Sequence, residues 1–135
     1  ENWDNNGKTG AITVYGEANH ASLAVIPSHV FDDALVLIDI EGYEFDLLTK
    51  EVIKQLQFSE VIIEIHNWID DFENRYAQLL RDLSEHFNIE KLEPVDRNTS
   101  YLPELRAYTD DNRLLLISER RPCLMRFLKL TPIKA

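Results

Sequence analysis

The chain reads as an α/β layered domain, and three features predict it. Leu35 to Ile40 and Val61 to Ile65 are near-continuous runs of leucine and β-branched residues, the pattern of parallel strands covered on both faces. Between them Phe45, Leu48, Val52 and Leu56 recur at three- or four-residue intervals and draw one apolar stripe along a helix. The two strands of this strand–helix–strand unit run out into Asp39 and Glu41 and into Glu64 and His66. Open parallel sheets bind ligands beyond the carboxyl ends of their strands, so these four residues mark the first place to look for chemistry.

The elements follow in order. Ile12 to Tyr15, between Gly10 and Gly16, is a candidate short strand, and Ala18 to Ile26 is mildly apolar and ambiguous up to Pro27. Ser28 to Asp33 offers a turn or a brief helix with Ser28 as cap. After the central unit, Asp70 or Asp71 caps a helix over Asp71 to Phe87, carried by Phe72, Tyr76, Leu79, Leu80 and Leu83. Ile89 to Leu92 makes a short strand closed by Pro94. Val95 to Asn112 is polar and reads as a long loop, either a lid over a site or a variable insertion. Leu114 to Ile117 is the last clear strand, folded back antiparallel by a short connection without a helix. The stretch from Pro122 onward is apolar enough to pack.

Length and composition bound the function. At 135 residues this is one domain, able to bury a core without disulfides. A single cysteine, Cys123, has no partner in the chain and fits a reducing compartment, and no apolar run approaches the about 20 residues of a membrane span, so the expected location is cytoplasmic. A formal charge of −10 argues against nucleic-acid binding. The basic residues gather at the end: Arg120, Arg121, Arg126, Lys129 and Lys134 make 119–135 a basic apolar tail on a body that carries −14.

Side chains alternate along a strand, so Asp39 pairs with Glu41 and Glu64 with His66 on one side, and adjacent strands would bring the four together. Three uses are open: oxygen ligation of a divalent cation, removal of a proton from a substrate hydroxyl, or hydrogen bonding to the hydroxyls of a ribose or sugar. A structural use is open for each residue singly, with Arg113 neutralising Glu64 and His66 donating to a carbonyl. Gly42 suits either a tight strand-to-helix turn or close approach of a ligand to the backbone.

Ile38-Asp39-Ile40-Glu41-Gly42-Tyr43-Glu44, then Leu47-Leu48, then Ile62-Ile63-Glu64-Ile65-His66 closely resembles the C-terminal half of FkbM-type methyltransferases, with Phe31-Asp32-Asp33 as the approach to the motif. The resemblance implies a Rossmann-like class I methyltransferase sheet, mostly parallel with an antiparallel C-terminal hairpin. It also implies S-adenosylmethionine as cofactor and a hydroxyl of a sugar or small metabolite as acceptor. It implies catalytic roles for Asp39, Glu41 and His66, acceptor contacts for Glu64, Asn67 and Tyr43, and cofactor contacts for Asp39 and Gly42; no metal is assigned. The glycine-rich turn that holds the cofactor in such sheets has no counterpart, since Gly7, Gly10, Gly16 and Gly42 make no G-x-G turn. The expectation is therefore that residues 1–135 are the C-terminal part of the domain, lacking the first strands and inactive alone, with the exposed Leu35 edge open to homodimerisation. The alternatives are an interaction module that has lost the cofactor site, and a metal-dependent hydrolase or phosphoesterase using Asp39, Glu41, Glu64 and His66.

Overall fold

The computed structural model describes Gly7 and residues 11–92, 98, 101–118 and 125–133. The first helix, α1 (His20–Ala24), is started by a reciprocal cap in which the Asn19 side chain accepts from the Ser22 amide and Ser22 from that of Asn19. Ser28–Phe31 is a 3-10 turn with Pro27, not Ser28, in the cap position, and it buries Phe31. Strand β1 (Leu35–Ile38) leads to two short helices, α2 (Glu44–Leu47) and α3 (Lys50–Gln55), then to β2 (Glu60–Ile65). Helix α4 (Phe72–Ser84), strand β3 (Phe87–Leu92), helix α5 (Asp110–Ile117) and strand β4 (Arg126–Pro132) complete the order.

The described strands form one sheet in the order β1-β2-β4-β3. β1 and β2 are parallel, with Val36 opposite Val61 and Ile38 opposite Ile63. β4 runs antiparallel to both neighbours, pairing Leu128 with Ile63 on one side and with Lys91 on the other. The fold is thus α/β with a mixed sheet: one parallel pair, the rest antiparallel. Val61, Ile63, Ile65, Leu128 and Leu130 are fully buried on one face, where they form a single cluster with Val52 and Ile53 of α3 and Leu79 and Leu83 of α4. No described helix is long and apolar enough to cross a membrane.

Several sequence expectations are corrected. The single helix across Phe45 to Leu56 is two: Leu48 leaves helical geometry at ψ 60, and the Thr49 hydroxyl restarts the chain by accepting from the Val52 amide. The expected helix to Phe87 ends at Ser84, and Phe87 opens β3. Asp71 occupies the cap position, but at φ 54 it makes no side-chain cap. Leu114 to Ile117 is helical, not a strand. Thr109 caps α5 through the Asn112 amide, and Asp110 and Asp111 in its first turn complement the helix dipole. The final antiparallel strand is instead β4, inside the expected tail, and the connection that reaches it contains a helix. Ile12 to Tyr15 forms no strand, and Ile12, Val14 and Tyr15 are exposed. Tyr101, Leu102 and Tyr108 of the expected loop are exposed too, while Leu105 is buried in a short 3-10 turn. Cys123 lies outside the described residues. Finally, β1 is covered on one face only: Ile38 is 5% exposed, whereas Leu35 and Leu37 are 69% and 72% exposed.

Candidate active site

β1 stops at Ile38, so Asp39 and Glu41 are placed by the turn beyond it rather than by strand alternation. Glu41 takes φ 55 and Gly42 φ 102, which reverses the chain into α2, and the Tyr43 amide closes the turn on the Ile40 carbonyl at 3.2 Å. At φ 102 only glycine sits without strain. A Cβ on Gly42 would also lie 3.1 Å from Ile69 Cγ2, so the room left by its missing side chain is filled from within the protein. Of the two uses foreseen for Gly42, the backbone supports the tight turn.

Next to this turn, β2 ends and delivers His66. The ring is 2% exposed and stands edge-on to Trp68 at 4.8 Å between centroids. On its inner side is Glu44, 0% exposed, whose two carboxylate oxygens face His66 Nδ1 at 3.2 and 3.3 Å. The same carboxylate accepts the Gly42 amide at 3.0 Å and the His66 amide at 2.7 Å, which ties the end of β1 to the end of β2. On the outer side, His66 Nε2 lies 3.5 Å from Glu41 Oε2 and 3.7 Å from Asp39 Oδ1. These outer carboxylates are solvated, with 78% and 49% of their side chains exposed. The arrangement is a buried imidazole with one nitrogen held from behind and the other turned outward between two carboxylates.

The structure brings together Asp39, Glu41 and His66, whose ligand atoms lie within 4.8 Å of one another. Glu64 does not join them: it sits buried within β2, opposite Phe127 of β4. The third carboxylate at the imidazole is Glu44, to which the sequence reading assigned no role. Its signal was present as the closing glutamate of the Asp39-to-Glu44 motif, but an acid in the first turn of a helix ordinarily reads as a dipole partner in water. Tyr43 and Asn67 flank the corner, Tyr43 before Glu44 and 68% exposed, Asn67 directly after His66 and half-buried. Arg113 is engaged with Asp110 and with the Tyr108 carbonyl. Solvated acids near a histidine do not by themselves make a metal centre, and the cluster has the equal capacity to accept hydrogen bonds from hydroxyl groups.

Fold and cluster together define an α/β protein with a polar site beyond the carboxyl ends of two parallel strands. The family model described as Methyltransferase FkbM domain matches residues 14–108, more than half of the chain, and its range includes Asp39, Glu41, Gly42, Glu44 and His66. The chain belongs to the FkbM methyltransferase family. No curated protein and no solved structure matches it. A methyltransferase family implies S-adenosylmethionine as methyl donor in general. The residues suit that group in part: Asp39 offers a half-exposed carboxylate to an ammonium or hydroxyl, whereas Gly42 provides no open cradle.

Proposed function

We propose that this chain forms the acceptor side of an S-adenosylmethionine-dependent O-methyltransferase whose substrate is a hydroxyl of a sugar or small metabolite. The observation that carries the reading is the outward-facing Nε2 of buried His66, set between Asp39 and Glu41. S-adenosylmethionine supplies an electrophilic methyl carbon. A hydroxyl attacks such a carbon poorly unless its proton leaves as the O–C bond forms and the methyl–sulfur bond breaks to release the thioether, and an imidazole nitrogen within hydrogen-bond reach is suited to take that proton. The Asp39 and Glu41 carboxylates accept the neighbouring hydroxyls of the substrate and stabilise the imidazolium that results. Exposed Tyr43 offers an aromatic face beside the cluster, of the kind sugar rings pack against.

The sheet also supports the reading. Because β4 is antiparallel to both β2 and β3, the strands β1, β2 and β3 share one direction and the reversed strand lies among them. That agrees with the antiparallel C-terminal pair of a class I methyltransferase sheet.

The test is transfer of an isotopically labelled methyl group from S-adenosylmethionine to a panel of mono- and oligosaccharides and hydroxylated metabolites by the natural full-length protein that carries residues 1–135, with His66→Ala alongside. Label is expected on a hydroxyl oxygen, and His66→Ala is expected to lower kcat by about 10²- to 10⁴-fold, the usual worth of a positioned base. Transfer to nitrogen or carbon, or a His66→Ala rate equal to the parent's, would refute the proposal.

A further inference from the structure

We propose that Glu44 is the positioning residue of this site: it holds His66 in the Nδ1–H tautomer and thereby turns the lone pair of Nε2 toward the solvated carboxylates of Asp39 and Glu41. The consequence for methyl transfer rests on the function proposed above; the tautomer does not.

The geometry leaves the imidazole little choice. Glu44 Oε2 accepts the Gly42 amide and Oε1 accepts the His66 amide, so two backbone N–H groups, whose protons cannot move elsewhere, fix the carboxylate as an acceptor on both oxygens. His66 Nδ1 straddles those oxygens at 3.2 and 3.3 Å. A nitrogen facing an acceptor-only group must carry the proton, and neutral imidazole has one N–H to give. With that proton on Nδ1, Nε2 is bare. Asp39 and Glu41 compete for the proton at 3.7 and 3.5 Å, longer distances and in solvated surroundings, whereas Glu44 is 0% exposed. A hydrogen bond to a buried charge is the stronger of the two, because water neither screens it nor replaces it. Which ring nitrogen is free is generally set by the hydrogen bond the other one makes, and a carboxylate behind the ring is the strongest such partner. Trp68, edge-on at 4.8 Å, limits rotation of the ring. Glu44 therefore does two jobs with one side chain. It locks the β1 turn to the end of β2, so Asp39 and Glu41 keep their distance from His66, and it selects the nitrogen they face.

The test reads the tautomer directly. In ¹H–¹⁵N long-range correlation spectra of the ¹⁵N-labelled protein, with the His66 signals assigned by their loss in His66→Gln, Nδ1 is expected to be protonated and Nε2 bare when the ring is neutral. The reverse pattern would overturn the proposal. Glu44→Gln presents an amide that can accept from only one of the two backbone donors. In the folded variant the proton is expected to move to Nε2, and kcat is expected to fall about 10²-fold or more with little change in KM for the acceptor, the pattern of a base left in the wrong tautomer. A folded Glu44→Gln that keeps the parent tautomer would also overturn it. Glu44→Asp, which retains the carboxylate, is expected to keep the parent tautomer and recover part of the rate. It carries the test if Glu44→Gln fails to fold, and a reversed tautomer in it counts against the proposal. A tautomer switch in Glu44→Gln without loss of rate would uphold the role of Glu44 and remove His66 from the reaction instead.

Discussion

Glu44 and His66 lie 22 residues apart in the chain, yet the Glu44 carboxylate accepts the His66 backbone amide at 2.7 Å and faces its ring Nδ1 at 3.2 Å. A residue that opens a four-residue helix thus governs the end of a strand. The stability of the corner and the chemistry of the site depend on the same side chain.

Glu44→Ala is expected to destabilise the protein by about 3 kcal/mol, because the amides of Gly42 and His66 and the ring Nδ1 would be left buried without an acceptor. Urea unfolding of parent and variant measures it. A loss under about 0.5 kcal/mol would mean that water reaches this corner and satisfies the three donors instead.

Asp39→Asn and Glu41→Gln separate charge from packing. Both side chains are largely solvated, so each variant is expected to unfold within about 0.5 kcal/mol of the parent. Labelled methyl transfer is expected to fall by about 10-fold or more for each, since the amide no longer supports a cation on His66 Nε2. Unchanged transfer in both variants would make the carboxylates bystanders.

The sequence carried the site's outer half and missed its inner half for a physical reason. Asp39, Glu41 and His66 are polar residues beyond two apolar strands, and that position alone marks them. Glu44 is polar in a place where polar residues usually meet water, and only its burial and its contact with a residue far along the chain reveal its work. The fold was legible to a similar depth. β1 and β2 announce themselves as apolar runs, but a continuous run does not say whether both faces are covered, and Leu35 and Leu37 turn out to face solvent. Leu114 to Ile117 is four apolar residues in a row, which suits strand or helix equally, and the capping hydroxyl of Thr109 with its two acids decides for helix. In β4, Arg126 and Lys129 interrupt the apolar residues, so a strand at the centre of the sheet read only as a tail that packs.

Gly42→Ala should be costly although it adds one methyl group. At φ 102 an alanine is strained, and its Cβ would press on Ile69 Cγ2 at 3.1 Å. A loss of about 1–3 kcal/mol is expected in urea unfolding, together with weaker methyl transfer, as the turn carries Glu41 and donates to Glu44. Parent-like stability would show that the turn relaxes freely.

Two leucines on strands that flank β2 in the sheet test its one-sided burial. Leu128→Ala on β4 removes a fully buried side chain and is expected to cost about 2–5 kcal/mol. Leu37→Ala on β1 removes one that is 72% exposed, and is expected to change stability by no more than about 0.5 kcal/mol. If Leu37→Ala costs as much as Leu128→Ala, the outer face of β1 is covered in solution.

Tyr76 gives the fold an alkaline limit. Its ring is 5% exposed and stacked on Phe72 at 5.4 Å, and its buried hydroxyl has no hydrogen-bond partner among the described residues. Burial pushes the phenol above its ordinary value of 10.0, partly opposed by the Arg126 guanidinium that lies 5.2 Å from the ring centroid. The sign follows from linkage: the group ionises more readily in the unfolded chain than in the folded one, so its contribution to stability is complete below the unfolded value and lost as pH rises through the folded one. Tyr76→Phe is expected to equal the parent or exceed it by about 1 kcal/mol at neutral pH, since it removes a hydroxyl buried without a partner. Above pH 10 the urea midpoint of the parent should fall more steeply than that of the variant, and parallel curves would mean that the phenol ionises alike in the folded and unfolded chain.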